Sequence, residues 1–287
     1  MRFGLVPPAG PPGGAAAETS VRPRPRHPLR YALGGRYFTL RRRIEWLTAR
    51  TSWARVTPTL LPVVQTSHAT PFFRELKDVG VALQRNKVVN LRLASARLDG
   101  ATLQPGETFS YWRLIGAPTS RKGYLPGVVL SFGKVTSGVG GGLCQLSNLI
   151  YWMTLHTPLT VVERHRHNYD VFPDTSRTQP FGSGATCFYN YGDLVLRNDT
   201  DRPFQLHVWL TDDELHGEWR STEPPRQLYE VYEAEHLIKQ EFWGGFSRNN
   251  LLYRHVSTLD GKDLGDEYVT ENHAIIMYNP VLTTGHD

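Results

Sequence analysis

The sequence predicts an α+β fold, with a mixed or antiparallel sheet and a sheet-rich C-terminal extension. Two segments, 84–99 and 143–156, have the length and apolar content of helices, and short β-prone runs lie around them. A glycine-rich stretch, 133–142, precedes the second helix, which carries a cysteine near its start. Beyond Pro224 and Pro225 the apolar runs are strand-like, which indicates the extension.

Composition divides the chain into four segments. Residues 1–28 contain seven Pro and four Gly, which predicts a disordered, basic leader. We expect a helical segment over 29–68, a core domain over 69–222 and a β-rich extension over 223–287. The 287 residues include 32 aromatic side chains, so a sizeable core can be buried. No run approaches the roughly 18 apolar residues that span a bilayer, and Pro and Gly interrupt the N-terminus, so we expect a cytoplasmic or membrane-peripheral protein.

The charge is unevenly distributed. Residues 1–55 hold eleven Arg, no Lys and two Glu, which makes this segment +9, whereas the whole chain is +5. Such an arm can attract an anionic membrane surface or a nucleic acid, or it can be a solvated leader without a partner. No pattern elsewhere is typical of a nucleic-acid module, so we expect no nucleic acid as partner.

A basic amphipathic helix is predicted inside that arm. Apolar residues recur at Tyr37, Leu40, Ile44 and Leu47, three and four positions apart, with arginines at 41–43 on the remaining surface. Such a helix can lie on a membrane, but docking of its apolar face on the protein's own domain is the preferred interpretation.

Individual elements of the core follow from local patterns. Gly100 is expected to cap the helix over 84–99, and Pro158 stops the helix over 143–156. β-Branched and aromatic residues favour strands in the following runs: 106–112, 128–132, 160–163, 193–197, 204–210, 215–219, 228–232, 251–256 and 274–278.

The best candidate for chemistry is Cys144, in the run 138–148 (GVGGGLCQLSN). Gly140, Gly141 and Gly142 leave the backbone open to a ligand, and the helix that follows has unpaired amides at its start. A thiol there is expected to have a lowered pKa, and amides from Gly142 to Gln145 can hold an oxyanion. The alternative is a tight loop in which Cys144 is a small buried hydrophobe.

A thiolate nucleophile needs an imidazole. His165 and His167 lie about 20 residues downstream, after a helix and a short strand that can return the chain to the helix start. They alternate faces if the strand continues, so only one of them would face Cys144. Three residues could orient that imidazole: Asn168, Asp170 and Asp193.

The same residues raise two rival interpretations. Cys144, His165, His167 and Cys187 could bind zinc, but they lack the closely spaced ligand pairs of structural sites, so neither a metal nor a cofactor is expected. A disulfide between the two cysteines is less favoured still. The small-residue run 182–187 could form the opposite wall of a cleft or a plain turn, and its aromatic neighbours indicate that Cys187 belongs to the core.

Four motifs resemble the VanW family, over a region from about Phe38 to about Tyr278. The specific ones are 106–112 (GETFSYW) and 140–148 (GGGLCQLSN). Two further motifs complete the pattern: Glu163-Arg164 with His167, and Asp193-Leu194 with 197–200 (RNDT).

The resemblance implies a role in the bacterial cell wall. Some larger proteins with a VanW domain act as L,D-transpeptidases that cross-link peptidoglycan, which would make Cys144 the nucleophile and His167 the base; His165 has no counterpart. The oxyanion loop would comprise Gly140–Gly142 and Gln145, with three supporting residues: Arg164, Ser147 and Asn148. Many members have Asp where Gly184 stands in this chain.

Two alternatives stay open. The same cleft could bind peptidoglycan precursors or a glycopeptide without catalysis, or the chain could be a membrane-peripheral accessory protein docked through its basic arm. One observation separates the binding module from an acyl transferase that acts on a peptidoglycan peptide or precursor. The acyl transferase needs a reactive thiol at Cys144, and the binding module does not.

Overall fold

The fold is α+β, as predicted. The computed structural model describes residues 28–73, 81–131, 133–171, 179–278 and 280. Most of the predicted leader, residues 1–27, lies outside the described residues. The helices in the described ranges are α1 (Pro28–Thr48), α2 (Val81–Leu98), α3 (Tyr111–Ile115) and α4 (Cys144–Leu155). None of them is long and apolar enough to cross a bilayer.

In chain order, the strands of the same ranges are β1 (Arg55–Val56), β2 (Val63–Pro71), β3 (Ala101–Leu103), β4 (Thr108–Ser110), β5 (Pro126–Ser131), β6 (Lys134–Val139), β7 (Thr160–Glu163), β8 (Tyr169–Asp170), β9 (Val195–Arg197), β10 (Phe204–Leu210), β11 (Glu214–Ser221), β12 (Gln227–Gln240), β13 (Phe246–Thr258) and β14 (Asp263–Ile276).

The central layer is a five-stranded antiparallel sheet in the order β1-β3-β10-β11-β2. Alternate residues of β11 are buried, as the two-residue period of a strand requires. Helix α4 packs against β11 at Gly217, where an added Cβ would lie 2.7 Å from the Met153 Cε atom. Trp219, two residues on, is fully buried and donates from Nε1 to Thr154 Oγ1 at 3.2 Å. The sheet therefore fixes the position of α4.

Two smaller sheets complete the core region. Strands β4, β9 and β7 form one, and the hairpin of β5 and β6 forms the other. Strand β6 occupies most of the glycine-rich stretch 133–142, so the loop before α4 is limited to the residues after Val139. Tyr111 and Trp112, expected in a strand, belong to α3, because the Ser110 side chain accepts from the Arg113 amide and starts a helix there.

The C-terminal extension is a sheet, as predicted, in the order β12-β13-β14-β8. Its fourth strand comes from the core sequence, and β8 pairs parallel with β14. Arg254 donates to the Leu155 and Thr157 carbonyls at 3.2 and 2.8 Å, which ties the extension to the end of α4. Near the N-terminus, β2 includes residue 68, where the boundary between the helical segment and the core domain is predicted.

The prediction that the apolar face of α1 docks on the protein's own domain is wrong. The face that carries Tyr37, Leu40, Ile44 and Leu47 is exposed. The helix docks through the opposite face, where Arg42 pairs with Glu163 at 2.8 Å.

Candidate functional site

The glycine loop between β6 and α4 has no space for side chains. Gly140 and Gly142 adopt φ values of 79° and 91°, in the left-handed region. A Cβ on Gly142 would lie 2.2 Å from Lys87 Cγ, and one on Gly141 would lie 2.2 Å from the Gly127 carbonyl oxygen. The loop therefore packs backbone against backbone, so its glycines are needed for the fold itself.

Asn90 of α2 holds this loop in place. Its side chain is fully buried and donates to the Gly141 and Leu125 carbonyls, both at 2.9 Å, and it accepts from the Leu125 amide at 2.8 Å. Tyr111 adds a bond from its hydroxyl to the Leu143 carbonyl at 2.9 Å. Sequence reasoning missed both residues, although a polar Asn in a helix interior is itself a signal of a local hydrogen bond.

Cys144 is the first residue of α4. It is partly exposed, and its thiol donates to the Cys187 carbonyl at a distance of 3.5 Å. Burial raises the pKa of the Cys144 thiol, and this effect exceeds the lowering by its backbone hydrogen bonds. The expected lowering of the pKa is therefore wrong: surrounding protein outweighs the position at a helix start.

Some loop amides are already occupied. Gly140, Gly141 and Gln145 donate to the Leu125, Gly138 and Gly142 carbonyls at 3.0, 2.9 and 3.1 Å. In the described ranges, no backbone carbonyl outside α4 accepts from the amides at 142–144. An oxyanion bound at this loop would therefore have to use one or more of these three amides.

Gln145 and the run 182–187 form hydrogen bonds with neighbouring protein groups. The Gln145 side chain donates to Thr70 Oγ1 and the Pro71 carbonyl, both at 2.9 Å, which fastens β2 to α4. Ser147 donates to the Ala185 carbonyl at 2.6 Å, and Asn148 accepts from the Ala185 amide at 2.8 Å. The run thus lies directly against the first turn of α4.

Cys187 and Gly184 of this run are tightly enclosed. Cys187 is buried, as its aromatic neighbours predict. A Cβ on Gly184 would lie 2.6 Å from Asn148 Oδ1, so an aspartate at this position would displace the side chain that holds Ala185.

The Arg164 side chain is hydrogen-bonded to neighbouring protein groups. Its guanidinium donates to the Gly184 carbonyl at 2.9 Å, to the Gly182 carbonyl and to Thr270 Oγ1 at 3.1 Å. It also lies over the Tyr151 ring, 4.9 Å from the centroid. Arg164 therefore connects the loop beside Cys144 with β14.

The two histidines differ in their surroundings. The His165 Nε2 atom lies 2.9 Å from Glu163 Oε1, and its ring packs on Phe188. Burial lowers the pKa of His167. In the described part of the chain, no hydrogen bond joins His167 to Cys144, and neither group shifts the pKa of the other. No group of three or more His, Cys, Asp or Glu residues within these ranges is placed to hold a metal ion.

Comparison with known proteins places these features in a family. Residues 86–220 match the family model described as VanW like protein. The chain is 41% identical to the vancomycin B-type resistance protein VanW of Enterococcus faecalis (strain ATCC 700802 / V583) over 195 residues, which cover 68% of this chain and 71% of that protein.

The chain belongs to the VanW family.

A second relative is the uncharacterized protein YoaR of Bacillus subtilis (strain 168), 30% identical over 119 residues, or 42% of this chain and 38% of that protein. No solved structure matches the chain. The VanW-matched range, 86–220, contains Asn90, the glycine loop, Cys144 and Asp193.

Asp193 is a buried carboxyl in the VanW-matched range with a strongly shifted pKa. It is fully buried and accepts from Ser110 Oγ at 2.5 Å, the Trp112 amide at 3.0 Å and the Leu194 amide at 2.9 Å. Burial raises the pKa of Asp193 to about 7. Its charge in turn raises the pKa of Cys187. The described partners of its carboxyl are Ser110, Trp112 and Leu194, so the orientation of an imidazole by Asp193 stays a prediction.

The first prediction concerns Asn90. Asn90→Ala removes three hydrogen bonds and leaves the buried Gly141 carbonyl without its side-chain partner, so the free energy of unfolding should fall by about 3 kcal/mol. Asn86, one turn earlier, makes a single exposed bond to the Pro126 carbonyl, and Asn86→Ala should cost less than about 1 kcal/mol. Urea unfolding measures both, and equal losses would show that Asn90 does not hold the loop.

The second prediction concerns pH and Asp193. The folded protein holds this proton up to pH about 7, whereas an unfolded Asp releases it near pH ~4. Stability should therefore fall as the pH rises from about 4 to about 7, by up to about 4 kcal/mol, and then stop changing for this group. Asp193→Asn keeps the acceptor for the Trp112 and Leu194 amides and should remove that slope. An unchanged slope in urea unfolding across this range would refute the raised pKa.

Proposed function

We propose that this VanW-family protein transfers acyl groups between peptidoglycan peptides, with Cys144 as the nucleophile. The observation that carries the proposal is a partly exposed cysteine at the first residue of α4, beside loop amides that, in the described ranges, no backbone carbonyl outside the helix occupies. The fixed loop adds preorganisation, because Asn90 and Tyr111 hold the backbone before substrate arrives.

The reaction has two balanced halves. The Cys144 sulfur attacks an amide carbonyl carbon as the thiol proton passes to a base, and a C–S bond forms. Amides of residues 142–144 stabilise the negative charge on the carbonyl oxygen. The C–N bond breaks, and the leaving amine takes the proton from the base. A second amine then attacks the thioester, forms the new amide and returns a proton to the sulfur.

The raised pKa of Cys144 makes a base necessary, because the thiol is protonated at neutral pH. His167 fills this role in the pattern that the family resemblance implies. Burial lowers the pKa of His167, so its imidazole is neutral at about pH 7 and can accept a proton. Substrate binding has to bring His167 to the thiol, as often happens when catalytic hydrogen bonds tighten in a substrate complex.

The substrate class comes from the family rather than from the geometry. Peptidoglycan cross-linking is what the resemblance to larger VanW-domain proteins implies, and the Enterococcus faecalis relative is named for vancomycin resistance. A peptidoglycan stem peptide is therefore the substrate to test.

A second candidate function is binding of the same peptides without chemistry. Two observations favour it: burial raises the pKa of Cys144, and no imidazole is bonded to its sulfur in the described structure. In that case the loop amides would bind a peptide carboxylate in the way they would bind an oxyanion.

The third prediction separates the two functions. Cys144→Ser should lower acyl transfer between synthetic stem peptides by on the order of a thousandfold, because a serine hydroxyl is a far weaker nucleophile without its own base. Cys187→Ser is the matched control and should keep most of the activity, since it is the Cys187 backbone carbonyl that bonds to Cys144. Mass spectrometry measures the product, two stem peptides joined by a new amide bond. Full activity in Cys144→Ser, or peptide binding without transfer in the wild type, would favour the binding function.

The fourth prediction tests the base. His167→Ala should slow transfer at neutral pH by about a hundredfold. His165→Ala should have a smaller effect, because that imidazole is engaged with Glu163. The pH profile adds a second readout: the wild-type rate should level off above the lowered pKa of His167, whereas the His167→Ala rate should keep rising toward the raised pKa of Cys144. Identical profiles for the wild type and His167→Ala would exclude His167.

A further inference from the structure

Helix α1 has an apolar face that nothing covers in the described structure. We call it the outer face: Leu33, Tyr37, Leu40, Ile44 and Leu47. These residues recur three and four positions apart, so they form one stripe along the helix. Leu40 is 58% exposed and Leu47 is 85% exposed. Large apolar side chains on one exposed stripe indicate an interaction surface.

The opposite side of α1 is attached to the domain. Arg42 pairs with Glu163 at 2.8 Å, and Asn190 donates to the Thr39 carbonyl at 3.3 Å. Trp46 is partly buried against the core. The outer face is therefore presented outward by a helix that is held by its other side.

Arginines border the outer face along both edges. At about 100° per residue, Arg36 and Arg43 project beside Leu47 and Leu40 on one edge, and Arg41 projects beside Tyr37 on the other. All three are exposed. The acidic residue of α1, Glu45, lies toward the attached side and is paired with Arg42 at 3.6 Å.

We propose that the outer face of α1 lies in the surface of an anionic lipid bilayer. An apolar stripe with arginines on both flanks is the arrangement of an interfacial helix: the leucines enter the acyl boundary and the guanidinium groups contact lipid phosphates. The bilayer is favoured over a second copy of the chain, because pairing two outer faces would bring the flanking arginines of both copies together.

This surface also has a fixed relation to the cysteine site. Arg42 binds Glu163, and Glu163 accepts from the Asp193 amide at 3.2 Å and raises the pKa of Cys187. A bilayer that binds α1 would thus hold the Cys144 region at a set orientation to the lipid surface. The proposal does not depend on catalysis, and Cys144→Ser should bind vesicles like the wild type.

The test is vesicle flotation with the full chain. The wild type should float with vesicles of phosphatidylglycerol and phosphatidylcholine in equal parts, and not with vesicles of phosphatidylcholine alone. The double variant Leu40→Gln/Leu47→Gln should bind the anionic vesicles about tenfold more weakly or worse. Arg36→Gln/Arg43→Gln should do the same. The control Leu228→Gln/Leu237→Gln changes exposed leucines of β12 and should bind like the wild type.

Binding through the outer face can be told from binding through the leader and from self-association. Every variant retains the arginines of residues 1–28, so binding through that leader alone would leave the α1 variants unaffected and would overturn the proposal. All substituted side chains are exposed, and thermal unfolding confirms that each variant is folded. Light scattering without lipid detects pairing of two copies: a dimer that Leu40→Gln/Leu47→Gln dissociates, with no flotation of the wild type, would also overturn the proposal.

Discussion

The close contact between the backbones of Gly127 and Gly141 determines where the site lies. The Gly141 Cβ position is 2.2 Å from the Gly127 carbonyl oxygen, so neither position can carry a side chain without moving the chain. Asn90 of α2 stabilises this contact, because its side chain is hydrogen-bonded to the Gly141 carbonyl and to both backbone groups of Leu125. Because the loop enters α4 directly, this contact sets the position of Cys144 and of the amides beside it.

The polar residues that follow Cys144 also fix the position of the start of α4. Gln145 holds β2, while Ser147 and Asn148 hold Ala185. Cys144 is consequently only partly exposed, and burial raises the pKa of its thiol. A site built this way has fixed amides and a protonated thiol, so attack on a bound peptide requires that substrate binding bring a base of the protein to the thiol.

Local patterns predicted much of this architecture. Apolar residues with Gly100 and Pro158 predicted α2 and α4, and β-branched and aromatic runs predicted most strands of the described ranges. The pKa of Cys144, the role of Asn90 and the attached face of α1 depend on contacts between residues far apart in the chain. Periodicity identified the stripe on α1 correctly, but contacts with distant residues, such as the ion pair between Arg42 and Glu163, show which side is attached.

The most direct test of Cys144 as nucleophile is the intact mass of the protein during reaction with a peptidoglycan stem peptide. A thioester at Cys144 adds the mass of the peptide acyl group minus one hydrogen, and peptide mapping assigns the bond. We predict a transient adduct on Cys144 that a second amine removes, and no adduct in Cys144→Ser. An adduct on another residue, or saturable peptide binding with no gain in covalent mass, would contradict this role.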